Sequence, residues 1–461
     1  MTKMTEHIPR EIDQVIEARW VLPILPRGKI IERATVVIDQ GRIVDVLQTE
    51  QARVQYRPRQ IVVLDDHVLI PGLINLHTHA AMSLMRGLAD DLPLMVWLQE
   101  HIWPAEKQLV SERFVCDGTL LACAEMLRGG TTCFNDMYFF PQAAAEAALQ
   151  AGMRANLGLV VIEFPSAYAN DADDYLLKGL DARDSWRGNA LLTSSLAPHA
   201  PYTIEDRTFE KVITYAEQLG IGVHTHLHET RDEIEQSLSK HGVRPMRRLA
   251  NLGLLGPNLV AAHCVHLQAE EIELMAEHGC HIAHCPASNL KLASGIADVA
   301  KLLAAGINTG IGTDGAASNN RLDMFAEMRL AALLAKGTSG NAAVLPAAQA
   351  LEMTTINAAK ALGLDDRIGS IEIGKMADLT AVRIADPETL PCFDPVSHLV
   401  YVAGREHVSH TWVAGDLRYQ KVDGQSGQKP NAQDGVYANI EPVELKEIIS
   451  VWQSKLSQYK A

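Results

Sequence analysis

The sequence predicts an α/β fold: a (β/α)8 TIM-like barrel with a small β-sandwich built from both chain ends. Three observations carry this reading. Eight apolar, β-rich runs alternate with helical patterns through the middle of the chain, as a parallel sheet with crossover helices requires. Short strands broken by Gly and Asp occupy both ends. Histidines and acids fall at the C-terminal ends of the middle runs, which in a closed barrel share one mouth.

From the start of the chain, Ala18 to Ile24, Ala34 to Ile38, Ile43 to Leu47 and Gln60 to Leu64 read as strands. The second and third are joined by Asp39-Gln40-Gly41-Arg42, a hairpin-type turn. The eight barrel strands are Leu69 to Leu76, Thr131 to Met137, Arg154 to Val161, Leu191 to Ala197, Gly220 to Leu227, Leu259 to Val265, Cys280 to His284 and Asn308 to Thr313. Helices are expected over Asp206 to Leu219, Ala269 to His278, Ile296 to Ala305 and Pro346 to Leu362. Strands return at Ile368 to Ile373, Asp378 to Ile384, His398 to Ala403 and Val408 to Tyr419. Asp423 to Asp434 is rich in Gly, Gln and Pro and reads as a linker to an amphipathic helix, Glu441 to Ala461. Residues 1–67 and 368–425 therefore build the two parts of the sandwich, 68–367 the barrel, and 426–461 the linker and C-terminal helix.

The 461 residues are 47% hydrophobic and 21% charged, an ordinary globular composition that excludes disorder and collagen. Lys plus Arg is 41 against 56 Asp plus Glu, for a net charge of −15. Such a field repels phosphate backbones, so no nucleic-acid partner is expected. Seven cysteines without disulfide spacing fit a reducing, cytoplasmic compartment. Met1 to Arg19 lacks the apolar core of a signal peptide. The longest uncharged stretch, Leu249 to Ala269, holds two glycines, a proline and two histidines, so no membrane partner is expected either.

The 18 histidines are clustered. His77-Thr78-His79 is an i, i+2 pair, which on a strand points to one face and can chelate a divalent ion. His224, His226 and His228 repeat that spacing. Three imidazoles exceed what one ion needs from one strand, so one direct ligand is expected, with the others supporting it or packing. Glu229 has the opposite parity and reaches the mouth only if the strand ends near His228. Asp314, in Gly312-Thr313-Asp314-Gly315, can approach a metal closely; a turn or helix-capping aspartate is the plain alternative. His263 ends an apolar run, as a water-orienting or a packing histidine does. Other chemistries lack their motifs: there is no His-Glu-x-x-His, no P-loop and no Pro-Cys-x-x-Cys. Gly310 to Gly315 spells Gly-x-Gly-x-x-Gly, but it follows seven other strands and holds an aspartate that would repel a pyrophosphate.

These residues resemble the amidohydrolase superfamily. Pro71-Gly72-Leu73-Ile74-Asn75-Leu76-His77-Thr78-His79 looks like its first-strand signature, His224-Thr225-His226-Leu227-His228-Glu229 its fifth-strand motif, and Ile311-Gly312-Thr313-Asp314-Gly315 its eighth-strand aspartate. The fourth strand ends Leu196-Ala197-Pro198-His199, without the bridging lysine of the binuclear branch. The resemblance thus implies one divalent metal per subunit, zinc being expected although iron, nickel and manganese occupy such sites. Its ligands become His77, His79, His226 and Asp314, and Glu229 and His263 match the proton-handling residues.

Met82 to Asp91, Trp97-Leu98, Ile102 to Glu106 and His284 to Leu292 are similar to the 5-methylthioadenosine/S-adenosylhomocysteine deaminases. That resemblance implies hydrolytic deamination of an adenosine-type nucleoside at purine C6 by metal-activated hydroxide, releasing ammonia and the inosyl product. Glu229, His263 and Asp314 would be catalytic. Glu106 would hold the ribose hydroxyls, His199 would contact the substrate, and Glu229 and Asp314 would face the base. Met82, Leu84, Met85, Leu88, Leu92 and Leu94 are candidates for the pocket of the 5′-substituent, with ordinary packing as the alternative. A homo-oligomer, dimer or tetramer, is usual in look-alikes. Two other readings stand beside this one: an aminohydrolase or chlorohydrolase of another N-heterocycle (triazine, guanine or pyrimidine type), and a non-catalytic metal-binding protein.

Overall fold

The computed structural model describes residues 9–422 and 435–460; the expected linker Asp423 to Asp434 lies outside them. Sixteen strands form two sheets. From the N-terminus come β1 (Arg10–Val21), β2 (Ile31–Asp39), β3 (Arg42–Gln48) and β4 (Tyr56–Pro71). The barrel strands are β5 (Leu73–Thr78), β6 (Thr131–Tyr138), β7 (Arg154–Val161), β8 (Leu192–Pro198), β9 (Gly222–Leu227), β10 (Leu259–His263), β11 (His281–His284) and β12 (Asn308–Ile311). After them follow β13 (Leu379–Arg383), β14 (Val408–Val413), β15 (Asp416–Lys421) and β16 (Gly435–Tyr437).

β5 to β12 pair in sequence order, all parallel. Side chains and single backbone bonds close the ring between β12 and β5. Asn75 donates to Thr313 Oγ1 at 2.7 Å and accepts from the Thr313 amide at 2.9 Å, and the Asp314 amide donates to the His77 carbonyl at 2.9 Å. Glycine makes this approach possible: a Cβ on Gly312 would sit 2.6 Å from the His77 nitrogen. The Gly-x-Gly of this strand therefore serves barrel closure.

The strands of both chain ends join one mixed eight-stranded sheet, in the order β16-β15-β14-β13-β4-β1-β2-β3. Ile16, Val36 and Ile43 from the start share an apolar cluster with Leu379 and Trp412 from the end. The hairpin turn forms as expected, with Gln40 and Gly41 both at positive φ (49° and 74°), the pair of angles that matches strand twist. At the opposite end of the barrel from its mouth, Arg154 is locked against this sheet. Its Nε and Nη2 donate to the two oxygens of Asp378 at 2.8 and 3.1 Å, both side chains being almost fully buried.

Several local expectations give way. β4 continues to Pro71, and the chain passes from sheet to barrel at Gly72, where a Cβ would strike Thr132 at 2.1 Å. His398 to Ala403 is not a strand; it lies in a helix, Pro395–Tyr401. Asp394 caps that helix by accepting the Val396 amide at 2.9 Å, and Pro395 opens its first turn, a start signal stronger than the apolar run behind it. Ile368 to Ile373 is a loop between Gly369 and Gly374, both left-handed. Pro346 to Leu362 breaks at Thr354-Thr355 into Ala347–Met353 and Ile356–Ala361. The expected helix Ile296 to Ala305 is shorter, Val299–Ala304, capped by Asp298. The stretch 426–461 also contributes β16 to the sheet before its helix, Pro442–Lys460. Among the described residues no helix is long and apolar enough to cross a membrane.

Candidate active site

Four side chains from three strands converge at the barrel mouth. Nε2 atoms of His77 and His79 lie 3.3 and 3.2 Å from Asp314 Oδ1. His226 Nε2 lies 3.3 Å from His79 Nε2. One nitrogen each of His77, His79 and His226 falls within a 4.8 Å cluster, and His77, His263 and Asp314 form a second cluster of the same size.

The outer nitrogens are held elsewhere. His79 Nδ1 meets the Met137 carbonyl at 2.5 Å, and His226 Nδ1 the His199 carbonyl at 2.6 Å. These bonds place a proton on Nδ1 and point Nε2 inward, the nitrogen a metal ligand would offer. His77 Nδ1 lies 2.9 Å from His224 Nε2, while its own Nε2 is buried without a hydrogen-bond partner. An orphaned imidazole nitrogen aimed at other lone pairs is costly unless a cation sits between them. The donor set, three imidazoles and a carboxylate, therefore fits one divalent ion.

Asp314 is fixed from behind. Its Oδ2 accepts from Ser288 at 2.6 Å and Ser318 at 2.9 Å, and Oδ1 accepts from the Gly315 amide. Burial works to raise its carboxyl, but His77 and His79 hold it well below the usual range. Burial pushes the His77 imidazole down to about 4 and keeps it neutral. Burial and the neighbouring imidazoles take His226 well below its ordinary value. Burial also opposes the charged form of His79, yet the Asp314 carboxylate outweighs it and raises the pKa to about 9. The pocket thus attracts positive charge wherever Asp314 touches it.

The strand ends turn sharply. His228, His263 and Asp314 all have left-handed backbones, with φ of 55°, 71° and 63°. Each such non-glycine residue costs roughly 1–3 kcal/mol, and such residues collect at functional sites. The turn at His228 resolves the parity of Glu229: β9 stops at Leu227, and Glu229 swings to the mouth, its Oε2 3.8 Å from His263 Nε2. Glu233 accepts the amides of His228 and Glu229 at 2.9 and 2.8 Å and holds this bend. Burial raises the Glu229 carboxyl pKa, which favours a group that carries a proton.

His224 and His226 on β9 and His228 just after it have three different surroundings. His226 joins the cluster, and His224 braces His77. His228 faces away, accepting the Met246 amide at 3.0 Å beside Arg244 and Glu271. His263 is oriented by Asn289, its Nδ1 2.8 Å from the amide oxygen. His284 is buried behind the mouth, outside these clusters. Asp136 accepts the Ala80 amide at 2.7 Å and shapes the turn after β5 rather than joining the cluster.

A cavity of about 600 Å³ opens beside His79 and His199, within the range of small-molecule sites. Glu106 lies on its wall. Burial raises its carboxyl to about 7, although the Tyr138 hydroxyl donates to Oε1 at 2.8 Å and pulls the other way. His199, neutral through burial, has its ring centre 4.7 Å from that of His226. Of the six expected apolar residues Met82 lines this cavity; Met85, Leu88 and Leu94 pack in the core, and Leu84 and Leu92 lie half-buried against it. Leu98, Ile102, Trp103 and Phe164 line the wall instead, the two aromatic rings 5.8 Å apart. Sequence reasoning missed Tyr138, Phe164, Glu233 and Ser294, which donates to Glu229 at 3.2 Å. Tyr138 had a local signal, because it directly follows the expected strand Thr131 to Met137 and is the last residue of β6. Glu233 lies in the first turn of the helix Arg231–His241, where Thr230-x-x-Glu233 signals only a helix start, and Ser294 lies on a loop without a local signal.

Fold and mouth define a barrel hydrolase whose clustered imidazoles and carboxylate could hold a metal ion. The profile of the amidohydrolase family matches residues 68–418, and the chain belongs to this family. It is 49% identical over 415 residues to a 5-methylthioadenosine/S-adenosylhomocysteine deaminase of Teredinibacter turnerae, covering 89% of this chain and 93% of that protein. It is 43% identical over 411 residues to a 5′-deoxyadenosine deaminase of Methanosarcina mazei, covering 88% and 93%. Among solved structures it resembles a zinc-bound adenosine deaminase from Xanthomonas campestris, at 45% identity and a TM-score of 0.93, covering 98% of this chain and all of that one.

Proposed function

We propose that His77, His79, His226 and Asp314 hold one zinc ion, and that Glu229, His263 and Asp314 move the protons of a deamination. The enzyme is a hydrolytic deaminase of adenosine-type nucleosides. The observation that carries the residue roles is the pair of clusters that share His77, one with His79 and His226 and one with Asp314 and His263, with Glu229 at their edge.

A bound divalent cation supplies Lewis acidity that lowers the pKa of a water toward about 7. Asp314 and His263 orient that water and accept its proton. Glu229, whose acid form burial favours, gives a proton to purine N1 and makes C6 electrophilic. When the C6–N bond breaks, the proton taken from water leaves with the amine as ammonia, and the C6 hydroxyl gives its remaining proton back to Glu229 as it becomes the carbonyl of the inosyl product. Glu106 accepts two hydrogen bonds from the ribose diol, with Tyr138 holding its carboxyl in place. His199 packs against the nucleoside near the base.

The 5′-substituent lies along Leu98, Ile102 and Phe164, an apolar wall suited to a thioether. Among the described residues Lys107 is the one lysine or arginine on this cavity, and it favours a substituent ending in a carboxylate. All seven cysteines are free, which fits a reducing, cytoplasmic compartment. Measuring ammonia release across a panel of adenosine, 5′-deoxyadenosine, methylthioadenosine, S-adenosylhomocysteine and the diol-free 2′,3′-dideoxyadenosine, with the Glu106→Ala variant alongside, tests this reading. Equal loss on a substrate lacking the diol would remove Glu106 from ribose binding.

A further inference from the structure

A second cavity, of about 610 Å³, opens at the opposite end of the barrel, among residues that begin β8, β9 and β10. Four cationic side chains line it: Arg183, Arg187, Lys360 and Arg367. No carboxylate does, in a chain where acids outnumber bases 56 to 41. Arg183 and Arg367 have only loose carboxylate neighbours outside the lining, Asp184 at 3.5 Å and Asp366 at 3.9 Å. Arg187 and Lys360 pair with no acid among the described residues. The remaining wall is mixed, with Asn156, Thr193, Ser195 and Asn258 set among apolar side chains such as Trp186 and Leu364.

One fully buried side chain reaches this cavity without a partner on that side. His224 lines it, and His224 Nδ1 makes no hydrogen bond, while its Nε2 engages His77. A buried orphan nitrogen beneath a cationic rim is a built receptor for an oxyanion-bearing molecule or the water it carries in. Guanidinium forks match phosphate oxygens in pairs.

We propose that this end of the barrel binds a small phosphate monoester, at a site separate from the deamination mouth. The phosphate sits among Arg183, Arg187, Lys360 and Arg367. The polar remainder of the ligand points toward His224, which links this site to the metal ligand His77.

The test is calorimetric titration of the metal-loaded protein with inorganic phosphate and with ribose 5-phosphate, against chloride at equal ionic strength. Saturable one-to-one binding is expected, tighter for the monoester than for free phosphate, and unchanged when inosine saturates the catalytic mouth. The exposed pair Arg187→Glu and Lys360→Glu together should weaken it by on the order of tenfold or more, with an unaltered melting temperature in the absence of phosphate. Should the double variant melt early, Lys360→Gln alone should still weaken binding several-fold, about as expected for one charge-assisted contact. No heat beyond the chloride control, displacement by inosine, or equal affinity in the parent and a folded variant would each overturn the proposal.

Discussion

The two ends of the barrel solve opposite electrostatic problems. At the mouth, imidazoles and carboxylates are buried together with inner nitrogens left free, and left-handed residues bend three strand ends inward. At the other end, the buried charge is fully paired: Arg154 spends its guanidinium on Asp378 and on the Ala190 carbonyl at 2.8 Å. Asp378 in turn accepts the Ala414 amide at 2.8 Å. Around that second end, charges at the rim share one sign. A buried polar group that is satisfied stabilises; one that is left unsatisfied waits for a ligand. The difference separates scaffold from chemistry within a single sheet.

Removing the ion or its ligand gives the largest effect. His226→Ala should abolish metal occupancy and turnover together, read by elemental analysis and ammonia release; a full complement of metal would show that another nitrogen completes the set. Glu229→Gln should keep the metal and lose ~100-fold in kcat, the scale for removing a general acid–base group. Retained turnover would take Glu229 out of the proton path.

The opposite end should answer in stability. Arg154→Met leaves Asp378 buried and unpaired, and should cost about 3–5 kcal/mol in denaturant unfolding. A matching fall in kcat in the folded fraction would erase the contrast between the two ends.

Glu106 should produce a smaller, pH-dependent effect. Its carboxylate accepts the diol only when ionised, so kcat/KM for ribonucleosides should fall as pH drops through about 7. Tyr138→Phe removes a bond that favours the charged form, so that limb should move to higher pH. An unmoved limb assigns the titration to another group. Glu106→Ala should cost about tenfold or more on substrates with the diol. Smallest of all, Lys107→Ala should raise KM a few-fold for S-adenosylhomocysteine, on the scale of an exposed ion pair, and leave methylthioadenosine unchanged. Equal changes for both would detach Lys107 from the tail.

Much of this was legible in the chain. Alternation of β-rich and helical runs located eight strands within a few residues, because a parallel sheet buried on both faces demands continuous apolar segments. The spacing of His77 and His79 placed both on one face, because strand periodicity is two. Errors came where a local signal outweighed an apolar run: Asp394-Pro395 started a helix through His398, and two glycines kept 368–373 out of the sheet.

Composition and periodicity by themselves determined the α/β alternation, the alignment of the histidine pair and the absence of rival catalytic motifs, since these are properties of neighbouring residues. Which histidine of β9 joins the cluster, how Glu229 reaches the mouth, and what forms the cavity wall were decided only by tertiary structure. The reason is geometric. His224, His226 and His228 share spacing but differ in depth, and only the packing of β5 and β12 against β9 and the φ reversal at His228 assign each its partner. The cationic rim at the far end likewise exists only because turns remote in the chain meet there.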